Sequence, residues 1–213
     1  MQVVIAGGHG QIALHLERVL ADSGHRVIAL IRSRDQDSDV REAGGEPMLC
    51  DLEQEDDLSH YVQGADAVVF AAGAGPGSGP ERKRTVDLGG ALKLIDAARR
   101  TGARRYVMIS SIGADNPSAA GEQMRPYLEA KADADHRLAD SDLDWTIVRP
   151  GGLTNARGTG RVTVSADMSL RGQVPREDVA RVVAAALGDP GTIGKTFVVV
   201  GGETPVNEAL AAL

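Results

Sequence analysis

Tyr127 and Lys131 stand four residues apart in the run Tyr127-Leu128-Glu129-Ala130-Lys131, so on a helix they share one face. A phenol with an ordinary pKa of about 10 is a weak acid at neutral pH unless its anion is stabilised, and a neighbouring ammonium can stabilise it. The pair therefore suits general acid–base work at a carbinol or carbonyl oxygen. Ser111 could hold the same oxygen through a second hydrogen bond, and the adjacent Ser110 is the alternative.

A second chemical signal lies at the start of the chain, in Gly7-Gly8-His9-Gly10-Gln11-Ile12-Ala13. It follows the apolar run Val3-Val4-Ile5-Ala6 and opens a segment of helical periodicity. Gly7 can turn without steric penalty, Gly10 has no Cβ to keep a pyrophosphate from the backbone, and Ala13 lets the helix pack close on the strand. The free amides of the first turn, Gln11 and Ile12 among them, would then face the phosphate. In this strand–turn–helix setting the glycines point to a dinucleotide.

The residues after the second apolar run bear on which dinucleotide. An NAD site places Asp or Glu there to bond the ribose 2′-hydroxyl; this chain offers Arg32-Ser33-Arg34. Two guanidiniums around a hydroxyl suit a 2′-phosphate, so NADP(H) is expected over NAD(H). A solvated basic corner meeting Asp35 and Asp37 is the alternative. Asp51-Leu52, after the third run, would lie at the adenine, although Asp51 could instead cap a helix beginning near Glu53. Ala71-Ala72-Gly73 offers small side chains where the middle of the cofactor would cross. The Gly75–Pro80 stretch reads as a lid or spacer, because Pro76 and Pro80 remove amide donors.

These groups need a scaffold. Strands are expected at 3–6, 26–31, 46–50, 65–72, 104–110, 144–149 and 196–200, with a short one at 161–165. Helices are expected at 11–21, 82–100, 125–139, 177–187 and 206–213. Strands apolar throughout are buried on both faces, and strands separated by helices run parallel. This predicts a single-domain (1–213), doubly wound Rossmann-like α/β fold: a mostly parallel sheet of about seven strands with helices on both faces. On the first helix, Ile12, Leu16, Val19 and Leu20 form the expected buried face. The pairs Arg99-Arg100 and Arg104-Arg105 read as solvated charge.

The 213 residues carry 23 basic and 30 acidic side chains, a net charge of −7, which disfavours a nucleic-acid partner. Cys50 is the single cysteine, so neither an intramolecular disulfide nor a cysteine metal cluster is expected. No apolar run approaches the roughly 20 residues of a membrane span, and no leader is evident at Met1-Gln2, so a cytoplasmic protein without a membrane partner is expected.

The chain resembles the atypical short-chain dehydrogenases/reductases, the NAD(P)-binding group related to NmrA-like and epimerase/dehydratase proteins. The resemblance rests on Gly7–Ala13, Asp51-Leu52, Ala71–Gly73, Val86-Asp87, Ser110–Ala114, Tyr127 with Lys131, Thr146–Gly151 and Arg176–Ala180, spread over the whole chain. It implies that Tyr127 is the acid/base, that Lys131 bonds the nicotinamide ribose and that Ser111 orients a small-molecule substrate. Pro150 and Gly151 would close over the nicotinamide. A possible homodimer would use the long helices before the fifth and sixth strands.

The departure is at the carboxyl end, where about 60 residues follow Gly152 and leave little for the substrate lobe of sugar-nucleotide enzymes. The substrate side must come from the loops 73–84, 112–124 and 152–170. The expectation is an NADP(H)-dependent oxidoreductase acting on a small carbonyl, alcohol or quinone-like compound. The alternative is a non-catalytic NADP(H)-binding redox sensor of the NmrA-like type.

Overall fold

The computed structural model describes residues 1–75 and 77–213. In chain order the strands are β1 Gln2–Ala6, β2 Arg26–Ile31, β3 Glu46–Leu49, β4 Ala67–Phe70, β5 Arg105–Ile109 and β6 Asp144–Pro150, then β7 Gly152–Thr154, β8 Arg161–Ser165, β9 Gln173–Pro175, β10 Lys195–Gly201 and β11 Thr204–Pro205. The helices are α1 Gln11–Asp22, α2 Asp37–Glu42, α3 Pro80–Arg82, α4 Ala91–Thr101, α5 Arg125–Ala139, α6 Arg176–Gly188 and α7 Val206–Ala211. A π-helical stretch, Lys83–Gly90, joins α3 to α4.

The central sheet has the order β11-β8-β10-β6-β5-β4-β1-β2-β3. From β3 to β10 every neighbouring pair is parallel. The chain winds outward from β1 through β2 to β3, then crosses back to place β4 on the other side of β1. At that reversal the connections leave in opposite directions, and a crevice opens beyond the carboxyl ends of β1 and β4. Alternate residues of β1 enter two cores. Val4 and Ala6 join Leu94, Tyr106 and Leu138 on one face, and Val3 and Ile5 join Leu16, Val183 and Phe197 on the other.

The sheet has nine strands rather than about seven. Beyond β10 the expected short strand β8 joins antiparallel to it, and β11, which was not expected, pairs antiparallel with β8. The separate two-stranded pair β7–β9 was not anticipated, because runs of three residues are too short to carry a period. The helix Asp37–Glu42 has no amphipathic signal in the sequence, because Val40 is its one apolar residue. No helix begins near Glu53. Asp51 Oδ1 instead accepts the Glu53 amide at 2.9 Å, closing a turn.

Two side chains depart from expectation in instructive ways. The buried face of α1 is Ala13, Leu16, Glu17 and Leu20, so a carboxyl is buried while Ile12 and Val19 stay half-exposed. Arg105 is half-buried rather than fully solvated. Its guanidinium donates to the carbonyls of Asp144 (2.6 Å) and Ala186 (2.6 Å) and to the hydroxyls of Thr146 and Thr192. It thereby satisfies the carbonyl end of α6 and ties that helix to the sheet. Burial lowers its pKa.

Candidate functional site

The crevice at the reversal is a cleft of about 290 Å³ lined by Gly7, His9, Gly10, Arg32, Asp51 and Ala71–Gly75 among others. Gly7 has φ +82°, and a Cβ there would come within 2.6 Å of the Ala72 Cα, so only glycine lets β1 turn this close to β4. Gly8 is buried and donates its amide to Leu30 O at 2.9 Å, and the Gly10 amide closes the turn on Gly7 O at 2.9 Å. Gly10 is the N-cap of α1. No side chain caps that helix, and its first turn, beginning Gln11-Ile12, holds no acidic residue. Such an end presents amide donors and a positive dipole to an anion. His9 lines the cleft while its Nε2 lies 2.8 Å from Asp39 Oδ2.

The expected 2′-phosphate contacts separate. Arg32 is exposed and lines the cleft. Ser33 donates to the Asp35 carboxylate, and Arg34 Nη1 lies 3.8 Å from Asp37 Oδ2, so these two follow the solvated-corner arrangement. Asp51 and Leu52 line the cleft beside Cys50, whose thiol pKa burial pushes up to about 12. The glycine turn, the uncapped helix end and the small residues at Ala71 and Ala72 together fit an extended dinucleotide.

A larger cleft of about 890 Å³ adjoins the first, sharing Gly73, Ala74 and Gly75 with it and bounded by Asp87, Met124, Tyr127 and Leu153. Tyr127, half-buried on α5, turns toward this space, and Lys131 lies one turn further along. The Lys131 ammonium sits 5.8 Å from the Tyr127 ring centre and 5.4 Å from that of Phe70. It donates to the carbonyls of Ile109 (3.3 Å) and Ala72 (3.4 Å), where β5 and β4 end. Its Nζ is also 3.3 Å from Asp87 Oδ1, and the other oxygen of Asp87 accepts the Ala74 amide at 3.0 Å.

The two serine candidates are distinguished by their partners. Ser110 is buried and donates to Asp135 Oδ2 at 2.7 Å, and Arg149 contacts the same oxygen through Nε at 3.0 Å and Nη2 at 2.9 Å. Burial raises the pKa of Asp135, and the Arg149 charge opposes that shift. This buried group fastens α5 to β6. Ser111 makes only a 3.3 Å bond to the Ile112 carbonyl, so its hydroxyl has no charged partner. Pro150 and Gly151 are buried at the end of β6 and line neither cleft. A Cβ at Gly151 would meet the Gly172 carbonyl, so its glycine serves packing at this point.

Asp87 and the Asp135–Arg149 pair received no role from the sequence. Asp87 did leave a trace, a lone carboxylate spaced four, seven and eight residues before the apolar Ala91, Leu94 and Ile95. A charge at core spacing signals a buried partner. Among the described residues no cluster of metal-ligating side chains forms, and no helix is long and apolar enough to cross a membrane.

A glycine-turn crevice at the switch point of a doubly wound sheet defines a dinucleotide-binding protein. The chain belongs to the NAD(P)H-binding family, whose model matches residues 7–190. It is 38% identical over 215 residues to a protein of Bacillus subtilis (strain 168) named as an uncharacterized sugar epimerase, YhfK, covering 100% of both chains. A solved structure from Bacillus halodurans, provisionally described as an NAD-dependent epimerase/dehydratase, superposes with a TM-score of 0.95 at 41% identity over 100% of both chains. The oxidoreductase ylbE of Lactococcus lactis superposes with a TM-score of 0.87 at 26% identity, over 100% of this chain and 96% of that one.

Proposed function

We propose that the protein is an NADP(H)-dependent oxidoreductase of the short-chain dehydrogenase/reductase type that acts on a small carbonyl or alcohol. The observation that carries this reading is the junction of the two clefts at Gly73, Ala74 and Gly75, with Tyr127 on the far side. A nicotinamide coenzyme along the first cleft would supply hydride to a substrate carbon. Tyr127 gives the carbonyl oxygen its proton; Ser111, which lines neither cleft and donates to the Ile112 carbonyl, would orient that oxygen only after its hydroxyl turns away from that bond. Lys131 holds the end of β4 and β5 beside the coenzyme's path. The loops 73–84, 112–124 and 152–170 make the substrate-side cap. Arg32, facing the cleft, supports the 2′-phosphate and hence NADP(H).

One observation favours the second reading, a non-catalytic NADP(H) sensor: Asp87 offsets the ammonium that would otherwise stabilise the Tyr127 anion. The name borne by the Bacillus subtilis relative raises epimerisation, yet that relative matches this chain end to end and so has no added substrate lobe. Calorimetric titration with NADPH and NADH tests the proposal. Tight NADPH binding that weakens in Arg32→Ala toward the NADH value is expected, and equal affinity of the wild type for both would remove the NADP assignment. NADPH oxidation across a panel of carbonyl compounds separates the enzyme from the sensor.

A further inference from the structure

The 890 Å³ cleft is of a size that encloses a drug-sized molecule, and the side chains around it constrain what that molecule can be. Most large apolar side chains of the protein are inside. Met124 and Leu153 stay 49% and 40% exposed, and both border this one space although they come from different segments. Single exposed hydrophobics need no explanation; two that converge on one cleft beside Tyr127 do. Pro126 and the Tyr127 ring extend the apolar wall. Met124 stands at the N-terminus of α5, one turn before Tyr127, so both side chains face the cleft from neighbouring turns.

The charges are as informative. Among the described residues Lys83 is the one cation lining the cleft, and its ammonium already donates to the Gln123 carbonyl at 3.3 Å. Glu122 opposes it, and Asp87 is paired with Lys131. A sugar diphosphate brings about two negative charges that need several cations or amide donors to leave water. Among the described residues this wall sets a single, already engaged cation against the carboxylates of Glu122 and Asp87.

We infer that the cleft selects uncharged, largely apolar carbonyl compounds, gripped by Met124 and Leu153 with the carbonyl at Tyr127, and that it rejects nucleotide sugars. The inference rests on the oxidoreductase reading for its chemistry but on the cleft alone for its selectivity.

Phenanthrenequinone and UDP-glucose are suitable probes, titrated into the NADP⁺-saturated protein by ligand-observed NMR. The wild type should bind the quinone and not the sugar nucleotide. Exchanging both apolar side chains (Met124→Ser with Leu153→Ser), which are exposed, should weaken the quinone by about tenfold or more while NADPH affinity holds. Glu122→Lys should raise the affinity for UDP-glucose. Failure of the wild type to bind the quinone, unchanged quinone binding in the double variant, or UDP-glucose binding as tight as the quinone would overturn the inference. Quinone binding that follows this pattern with no NADPH-dependent turnover would instead remove the oxidoreductase reading and leave the selectivity standing.

Discussion

Asp87 Oδ1 lies 3.3 Å from Lys131 Nζ, with the lysine side chain 3% exposed and the aspartate fully enclosed. Two charges buried together owe their tolerance to each other. Removing one strands the other in low dielectric, while replacing both by neutral groups of similar shape costs much less. Asp87→Asn should therefore lower stability by about 3–5 kcal/mol, and adding Lys131→Met should restore most of the loss. Urea denaturation of the two single variants and the double variant reads this directly. A loss below about 1 kcal/mol in Asp87→Asn would mean that the pair behaves as an exposed one.

The same pair shapes what Tyr127 can do, because its lysine neighbour arrives with a counter-charge. If the phenol is the proton donor, Tyr127→Phe removes the donor and leaves the nucleotide cleft untouched, since Tyr127 does not line it. Turnover should fall by about a hundredfold to ten-thousandfold with NADPH affinity essentially constant. Steady-state kinetics beside equilibrium titration check both halves. Retained turnover would transfer the role to another group or to water.

What could be read from the chain follows from how far each signal reaches along it. β2, β8 and α5 have their observed limits in the sequence reading, because a β-branched run or a Pro126-led helical period is a local property. The glycine turn was legible for the same reason. β7, β9 and β11 are held by backbone pairing between distant segments, and no side-chain period announces them. The ion pair of Asp87 with Lys131 and the shared oxygen of Asp135 belong to contacts between helices and strands far apart in sequence. Spacing gave Lys131 its tyrosine and could not give it its aspartate. The π-helical stretch that carries Asp87 is likewise not readable as such, since it lies inside the single helix expected over 82–100 and nothing in the apolar spacing marks a change of hydrogen-bond step.

Gly7 and Gly10 separate folding from binding. Alanine at Gly7 must hold a positive φ and meet the Ala72 backbone at 2.6 Å, so Gly7→Ala should cost at least about 1–3 kcal/mol of stability from backbone strain alone. Gly10 has an ordinary φ of −65°. A Cβ there would meet the Gly7 carbonyl at 3.1 Å, which a small shift relieves. Gly10→Ala should leave the thermal midpoint within a few degrees and still weaken NADPH, because the methyl stands at the mouth of α1 where the diphosphate would approach. Unaltered affinity in a folded Gly10→Ala protein would argue against that approach.

Glu17 adds a pH dependence that has nothing to do with the cleft. Its side chain is fully buried on α1, Val40 and the Gly45 backbone crowd the same space, and neither carboxyl oxygen has a hydrogen-bond partner. Burial pushes its pKa up to about 8, against a small opposing pull from Arg18. Below the unfolded value of about 4.5 both states hold the proton, and the group is neutral to stability. As pH rises from there the unfolded chain releases the proton and the folded chain keeps it, so stability falls by about 1.4 kcal/mol per unit until the folded group ionises near pH 8. The accumulated loss is of the order of 5 kcal/mol. Glu17→Gln has no proton to lose, so its advantage over the wild type should grow between pH 5 and pH 8 and then level off. Paired denaturation curves across that range measure the difference free of the other carboxylates, and a gap that stays constant with pH would place the Glu17 carboxyl in contact with water.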